Sequence, residues 1–183
     1  GRNEKGEMVM RLEHDFLGEL QVADEVYYGV QTMRAMENFR ITGHNLDSDF
    51  IVALAMVKKA AAKANMATGR LDQTIGNALV AAADEIIAGK LHDQFPVDPI
   101  QGGAGTSINM NTNEVLCNRA LEILGDKKGN YDRISPNNHA NMAQSTNDAF
   151  PTAIKVCAIQ KGRLLVKALR ELAEALEVKA EKF

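Results

Sequence analysis

The length, composition and charge of this chain are those of an ordinary globular protein, and they exclude several functional classes. Its 183 residues are 45% hydrophobic and 25% charged with a formal net charge of -3, so no basic surface for nucleic acid is indicated. Aromatic residues make up 5% of the chain and Trp is absent, which argues against stacking of bases or sugars. The two cysteines have no Cys or His at ligand spacing, so we expect no disulfide scaffold and no ordinary zinc site. We also expect no other metal site and no cofactor.

The chain begins with a polar segment. Residues 1–10 lack the apolar stretch of a signal peptide, so we interpret them as a tail or an expression remnant. The longest apolar stretches further along fall far short of the roughly 20 residues that a membrane helix needs. We therefore expect a cytoplasmic protein without a membrane partner.

Short extended pieces followed by helices are predicted for the first half of the chain. Glycines after apolar pairs indicate extended pieces and turns over residues 11–29, and helical patterns dominate from Gln31 onward. Residues 49–67 are rich in Ala, Met, Leu and Lys, which are good helix formers. Asp72 is a candidate cap for the next helix, and Gly89 ends that helix.

Two further helices, each preceded by a loop, are predicted for the second half. Residues 90–101 contain two prolines and form a loop, and the helix over residues 106–124 has an apolar stripe in its second half. A polar loop over residues 125–146 precedes the last helix, which runs to Phe183. That helix greatly exceeds the roughly 11–12 residues of a mean helix. Because it has no Gly or Asn stop, we interpret it as truncated.

The first feature that helix packing does not explain is a glycine-rich run. Residues 102–107 read Gly-Gly-Ala-Gly-Thr-Ser, and the glycines let the backbone approach a ligand closely. Asn109 and Asn113 follow on one helical face, where Asn is unfavourable unless it is hydrogen-bonded to a specific partner. The run is either a tight helix entry or part of a binding site.

The second such feature is a run of helix-capping residues. Ser145, Thr146, Asn147 and Asp148 are four consecutive good caps, although one helix start needs only one. The surplus of hydroxyl, amide and N–H donors at a helix N-terminus favours an anion pocket. An elaborate cap is the alternative.

No catalytic constellation accompanies these donors. The sequence contains no convincing Ser–His–Asp, Cys–His or paired-carboxylate arrangement. His139 lies in the Asn-rich loop, where we expect it to make a structural hydrogen bond. The residues therefore indicate binding groups without a catalyst.

Several motifs in the same order resemble one known family. The runs at residues 102–116 and 144–152 resemble segments of the aspartase/fumarase superfamily, and the similarity covers nearly the whole chain after Met8. Ala104 and Thr146 are typical of the aspartases, since fumarases tend to carry Ser at both positions. The other matching segments are residues 15–18, 27–32, 34–39, 57–61 and 93–98.

The sequence departs from the family pattern in the second polar loop. Met142 stands where many members have Lys, and Asn138 stands where Asp is common. The missing Lys leaves one cation fewer beside the predicted anion pocket.

The resemblance implies a mainly α fold and an oligomer. The expected domains are an N-terminal helical domain over residues 11–146, with a small extended segment, and the start of a long central bundle helix over residues 147–183. Members of the family assemble as homotetramers, with each active site built from three subunits.

The resemblance also implies the site and its chemistry. Thr106, Ser145, Thr146 and Asn147 match the residues that hold the carboxylates of a small dicarboxylate substrate, whereas the general base lies on a loop beyond Phe183. The implied reaction is proton abstraction from L-aspartate and elimination of ammonia to give fumarate, for which this chain alone is expected to be inactive. The alternatives are a class II-type fumarase acting on fumarate and malate, and a non-catalytic helical interaction module.

Overall fold

The computed structural model describes Gly6 and residues 8–183, and it shows the predicted mainly α fold. The expected tail over residues 1–10 lies mostly outside the described residues. The predicted extended segment is a hairpin of two antiparallel strands, β1 (Met10–Asp15) and β2 (Gly18–Ala23). The predicted extended pieces are thus confirmed.

Five α-helices follow the hairpin within the described residues. They are α1 (Val30–Asn38), α2 (Ser48–Ala67), α3 (Gln73–Ile87), α4 (Thr106–Ile123) and α5 (Thr146–Lys182). A 3-10 turn at His92–Gln94 lies between α3 and α4, and a π-helical turn at Pro136–Ala140 lies between α4 and α5. The Asp72 side chain accepts the first free N–H groups of α3, so its predicted capping role is confirmed.

The core lies between α2, α3 and α4. Ala53 and Ala82 are fully buried, and their small side chains let the helices approach closely. Leu54, Ile86 and Leu121 fill the space between the helices and are at most 1% exposed. This packing fixes α4, which carries the first polar run at its N-terminus.

Helix α5 packs against α2 only over its first part. Ala153 and Cys157 are buried, and Lys161 Nζ lies 3.1 Å from a carboxylate oxygen of Asp47 and 2.7 Å from one of Asp49. Beyond this ion pair five leucines, which we call the α5 stripe, are 53% to 68% exposed: Leu164, Leu165, Leu169, Leu172 and Leu176. Although α5 has 37 residues, neither it nor any other helix in the described part of the chain has the length and apolar character to cross a membrane.

A pair of buried carboxylates holds the N-terminus of α1, which has no side-chain cap of its own. Glu114 on α4 accepts the backbone N–H groups of Gly29, Gln31 and Thr32 at 2.8, 2.8 and 3.1 Å, and Glu13 on β1 accepts that of Val30 at 2.9 Å. Both glutamates are at most 2% exposed.

This carboxylate pair was not expected from the sequence, because Glu13 and Glu114 are far apart along the chain. Burial, with the like charge of Glu13, raises the pKa of Glu114 to about 7, although the donors from α1 oppose this rise. Because both side chains are occupied by the N-terminus of α1, their role is to stabilise the fold.

Candidate carboxylate-binding site

The two polar runs of the sequence lie next to each other at the N-termini of α4 and α5. Gly105 precedes α4 in the left-handed region with φ 85°, and a Cβ placed on it would lie 2.3 Å from the ring of Phe150 on α5. Asn109 Nδ2 lies 3.2 Å from Oγ1 of Thr146, the first residue of α5. Helix N-termini carry partial positive charge, so their convergence favours binding of an anion.

Backbone donors are available at both helix starts. In α4, the Gln101 side chain accepts the N–H of Ile108 at 3.1 Å. The N–H groups of Thr106, Ser107 and Thr146 have no acceptor within the part of the chain that the structure describes. Three N–H groups are thus free to bind an acceptor such as a carboxylate.

The cap of α5 uses half of the second polar run. Ser145 Oγ accepts the N–H of Asn147 at 3.2 Å, and Asp148 Oδ2 accepts the N–H of Ser145 at 2.8 Å. These reciprocal bonds form a capping box. The structural interpretation therefore accounts for Asp148 and for the oxygen of Ser145, whereas the side chains of Thr146 and Asn147 remain surplus to the cap.

Buried amides beneath the surface join the two runs. Asn109 and Asn113 donate from Nδ2 to the same acceptor, Asn141 Oδ1, at 3.1 and 3.2 Å. The expectation that these two residues have specific partners is confirmed. Since Asn109 also donates to Thr146, one side chain of the first run contacts the second run directly.

Lys58 on α2 completes this network and was not predicted as a site residue. Its Nζ donates to Asn141 Oδ1 at 3.0 Å and to Gln144 Oε1 at 2.9 Å, and the residue is only 3% exposed. The available signal was its spacing, because Leu54, Lys58 and Ala62 are four apart on a stripe that is otherwise apolar. A lysine side chain therefore lies behind the second polar run even though Met142 stands where many family members have Lys.

Lys58 should give the protein a specific pH dependence. Burial lowers its pKa from 10.5 to about 7, although the charge of Asp148 opposes this. Between these values the unfolded chain binds one proton more than the folded chain, so stability from this group rises with pH, by about 1.4 kcal/mol per pH unit at most. We therefore expect the free energy of unfolding of wild type, minus that of Lys58→Met, to become more positive from about pH 7 to about pH 10.

Urea unfolding at the two pH values measures this difference. Lys59→Met is the matched control for loss of one lysine. Lys59 is the next residue on α2, but it pairs with Asp84 of α3 at the protein surface. A difference between wild type and Lys58→Met that stays constant with pH would contradict the assignment.

The four predicted site residues form an open face rather than an enclosed cavity. Thr106, Ser145 and Asn147 are exposed and Thr146 is half-buried. Thr146 is tied to the first run through Asn109, while Thr106 begins the neighbouring helix. The structure thus places all four residues at the two adjacent helix starts, where their role in binding stays a prediction.

His139 has the structural role that was predicted. Its Nδ1 accepts the backbone N–H of Ser135 at 2.8 Å, and burial lowers its pKa. The ring therefore closes the π-helical turn as a neutral imidazole.

Comparison with known proteins identifies the family. The profile of the lyase family matches residues 18–183. The chain belongs to this lyase family. It is 57% identical over 178 residues to an aspartate ammonia-lyase from Bacillus subtilis, covering 97% of this chain and 38% of that protein. It is 48% identical over 177 residues to an aspartate ammonia-lyase from Escherichia coli, covering 95% of this chain and 37% of that protein.

Solved structures place this lyase chain in the same fold. A fumarate lyase:delta crystallin from Brucella melitensis superimposes with a TM-score of 0.92 at 47% identity, covering 96% of this chain and 41% of that one. A class II fumarase from Schistosoma mansoni gives a TM-score of 0.76 at 37% identity, covering 81% of this chain and 32% of that one. The chain thus spans about two fifths of the length of the relatives it matches.

Proposed function

We propose that this chain supplies the carboxylate-binding part of an ammonia-lyase that converts L-aspartate to fumarate and ammonia. The observation that carries the proposal is the meeting of two helix N-termini, at which the Asn109 amide joins the two polar runs. Thr106, Ser145, Thr146 and Asn147 would bind the substrate's carboxylates. The aspartate ammonia-lyase relatives support this choice of substrate.

The residue types suit the chemistry of the proposed reaction. Removing a proton next to a carboxylate places extra negative charge on that carboxylate, so the transition state is stabilised by donors already aimed at it. The hydroxyls of Thr106 and Thr146 and the free N–H groups at both helix starts are such donors. Ammonia then leaves from the neighbouring carbon, and no cofactor is needed for this route.

The general base is proposed to come from the part of a longer protein beyond Phe183. Two facts support this: the relatives are much longer than this chain, and no catalytic constellation was found in its sequence. On this proposal the 183-residue chain alone is inactive, and residues 147–183 form the start of the central bundle domain.

The α5 stripe supports a proposal about assembly. Five exposed leucines on one long helix would be covered if α5 packs against helices of other subunits. We therefore include a homotetramer with shared active sites in the proposed function. The cytoplasmic location expected from the sequence is a separate part of the same proposal. A non-catalytic interaction module would use the same surface but would leave the surplus donors of Thr146 and Asn147 unexplained.

A class II-type fumarase is the second candidate, and the likeness to the Schistosoma mansoni enzyme favours it. The higher identity to the aspartate ammonia-lyases favours the first. Assaying the longer protein separately with L-aspartate and with L-malate separates the two. Formation of fumarate from malate but not from aspartate would overturn our choice.

Thr106→Val should weaken catalysis in the longer protein without unfolding it. A hydrogen bond to a charged group is worth about 1.5–3 kcal/mol, so kcat/KM for aspartate should fall by about tenfold to a hundredfold. Thr74→Val is the matched control, since Thr74 is an exposed threonine in the first turn of α3. Equal kcat/KM for Thr106→Val and wild type would remove Thr106 from the site.

A further inference from the structure

The hydrogen bonds around Asn141 determine how the buried amides are oriented. The backbone carbonyl of Gln144 can only accept, so the group that faces it at 3.1 Å must be Asn141 Nδ2. Asn141 Oδ1 then points the opposite way, where it accepts from Lys58 Nζ. Two independent contacts therefore fix this amide.

The orientation of Asn141 fixes Asn109 in turn. Because Asn141 presents an oxygen, Asn109 must present Nδ2 to it at 3.1 Å. An amide nitrogen has two hydrogens and accepts none, and the second hydrogen goes to Thr146 Oγ1 at 3.2 Å. The Thr146 hydroxyl is thus the acceptor in this contact.

As a result, the proton of the Thr146 hydroxyl is left for another partner. Within the described residues Thr146 donates to no group. It is also the first residue of α5, so no preceding helical turn offers it a carbonyl. The acceptor position faces Asn109 in the interior, and the hydroxyl proton is therefore directed away from Asn109.

We propose that Asn109 is a positioning residue, which holds the Thr146 hydroxyl with its proton directed at the substrate carboxylate. This rests on the proposed function, because it assumes that Thr146 binds that carboxylate. Oδ1 of Asn109 is buried with no partner in the described part of the chain, as are those of Asn111 and Asn113, so Asn109 acts through its Nδ2 donors. The bond from Nδ2 to Thr146 Oγ1 is what distinguishes Asn109 from Asn113.

Asn113 provides a matched control. It lies one helical turn further along α4, is equally buried, and donates to the same Asn141 oxygen at 3.2 Å. Unlike Asn109, it makes no hydrogen bond to Thr146 in the described residues. Loss of Asn113 removes a similar amide from the network without touching the hydroxyl.

A double-mutant cycle in the longer protein tests the proposal. The dissociation constant of succinate, a dicarboxylate that cannot eliminate ammonia, is measured by calorimetry for wild type, Asn109→Ala, Thr146→Val and the double variant. Thr146→Val should weaken binding by about tenfold to a hundredfold, and Asn109→Ala by about twofold to tenfold. The double variant should bind no worse than Thr146→Val, because Asn109 acts through that hydroxyl. When Asn113→Ala is combined with Thr146→Val instead, the two effects on the dissociation constant of succinate should multiply.

The outcomes separate this inference from the proposed function. If the effects of Asn109→Ala and Thr146→Val multiply fully, the positioning role is overturned and the lyase proposal stands. If wild type neither binds succinate nor turns over aspartate, the proposed function fails and this inference fails with it. Should Asn109→Ala not fold, the cycle is run with Asn109→Ser, which keeps a single hydroxyl donor; a loss of succinate affinity that multiplies with that of Thr146→Val would overturn the proposal.

Discussion

Replacing Gly105 by Ala is expected to lower the free energy of unfolding by about 2–5 kcal/mol and to abolish carboxylate binding. The backbone at Gly105 has φ 85°, which costs an L-residue about 1–2 kcal/mol. A Cβ there would lie 2.3 to 2.5 Å from the ring of Phe150, so α5 would have to shift relative to α4. Because the site consists of these two helix starts, the stability loss and the binding loss have one cause.

Gly103→Ala separates the cost of positive φ from the cost of the close approach to Phe150. Gly103 also has positive φ, at 72°, but the nearest atom to its Cβ would be Thr106 Oγ1 at 3.6 Å, an ordinary contact. Urea unfolding should therefore give a loss of only about 1–2 kcal/mol for this variant. Equal losses for the two variants would mean that the contact between Gly105 and Phe150 does not hold the helices together.

Replacing Glu114 by Ala should also destabilise the fold strongly, by about 3–5 kcal/mol. The carboxylate accepts three backbone N–H groups and the Thr32 hydroxyl, the last at 2.6 Å. Without it these donors remain buried, and each unsatisfied one costs about 1–3 kcal/mol before relaxation. The free energy of unfolding in urea measures the loss.

Glu122→Ala is the control on the same helix. Glu122 accepts the Tyr27 hydroxyl at 2.6 Å and pairs with Arg119, but it is exposed. Surface pairs contribute about 0–1 kcal/mol, so this variant should lose far less stability. A loss equal to that of Glu114→Ala would show that burial of the Glu114 carboxylate is not what makes it important.

The helices were predictable because their signals are local. Asp72 precedes an apolar stripe with a helical period, and its capping bonds reach only Thr74 and Ile75. The surplus of donors over residues 145–148 was also visible in the sequence, since one cap is enough for one helix. In the structure Ser145 and Asp148 form the capping box, whereas the Thr146 hydroxyl accepts from Asn109 and keeps its own proton available.

The buried network could not be predicted because its contacts are distant in sequence. Lys58 and Asn141 are 83 positions apart, and Gly29 and Glu114 are 85 apart. The residues around a lysine on an apolar stripe, or around a glutamate inside a helix, do not indicate which distant group that side chain will contact. The face shared by Asn109 and Asn113 was predicted from their spacing, whereas their common acceptor depends on how the loop after α4 folds back.

The starts of α4 and α5 are proposed to bind one substrate carboxylate together. A crystal structure of the longer protein with bound succinate tests this proposal most directly. We expect one succinate carboxylate within hydrogen-bonding distance of Thr106 or Thr146, with the Thr146 hydroxyl donating to it while Asn109 Nδ2 still contacts Oγ1. Succinate bound elsewhere, with both helix starts contacting only water, would show that these helix starts are not the carboxylate site.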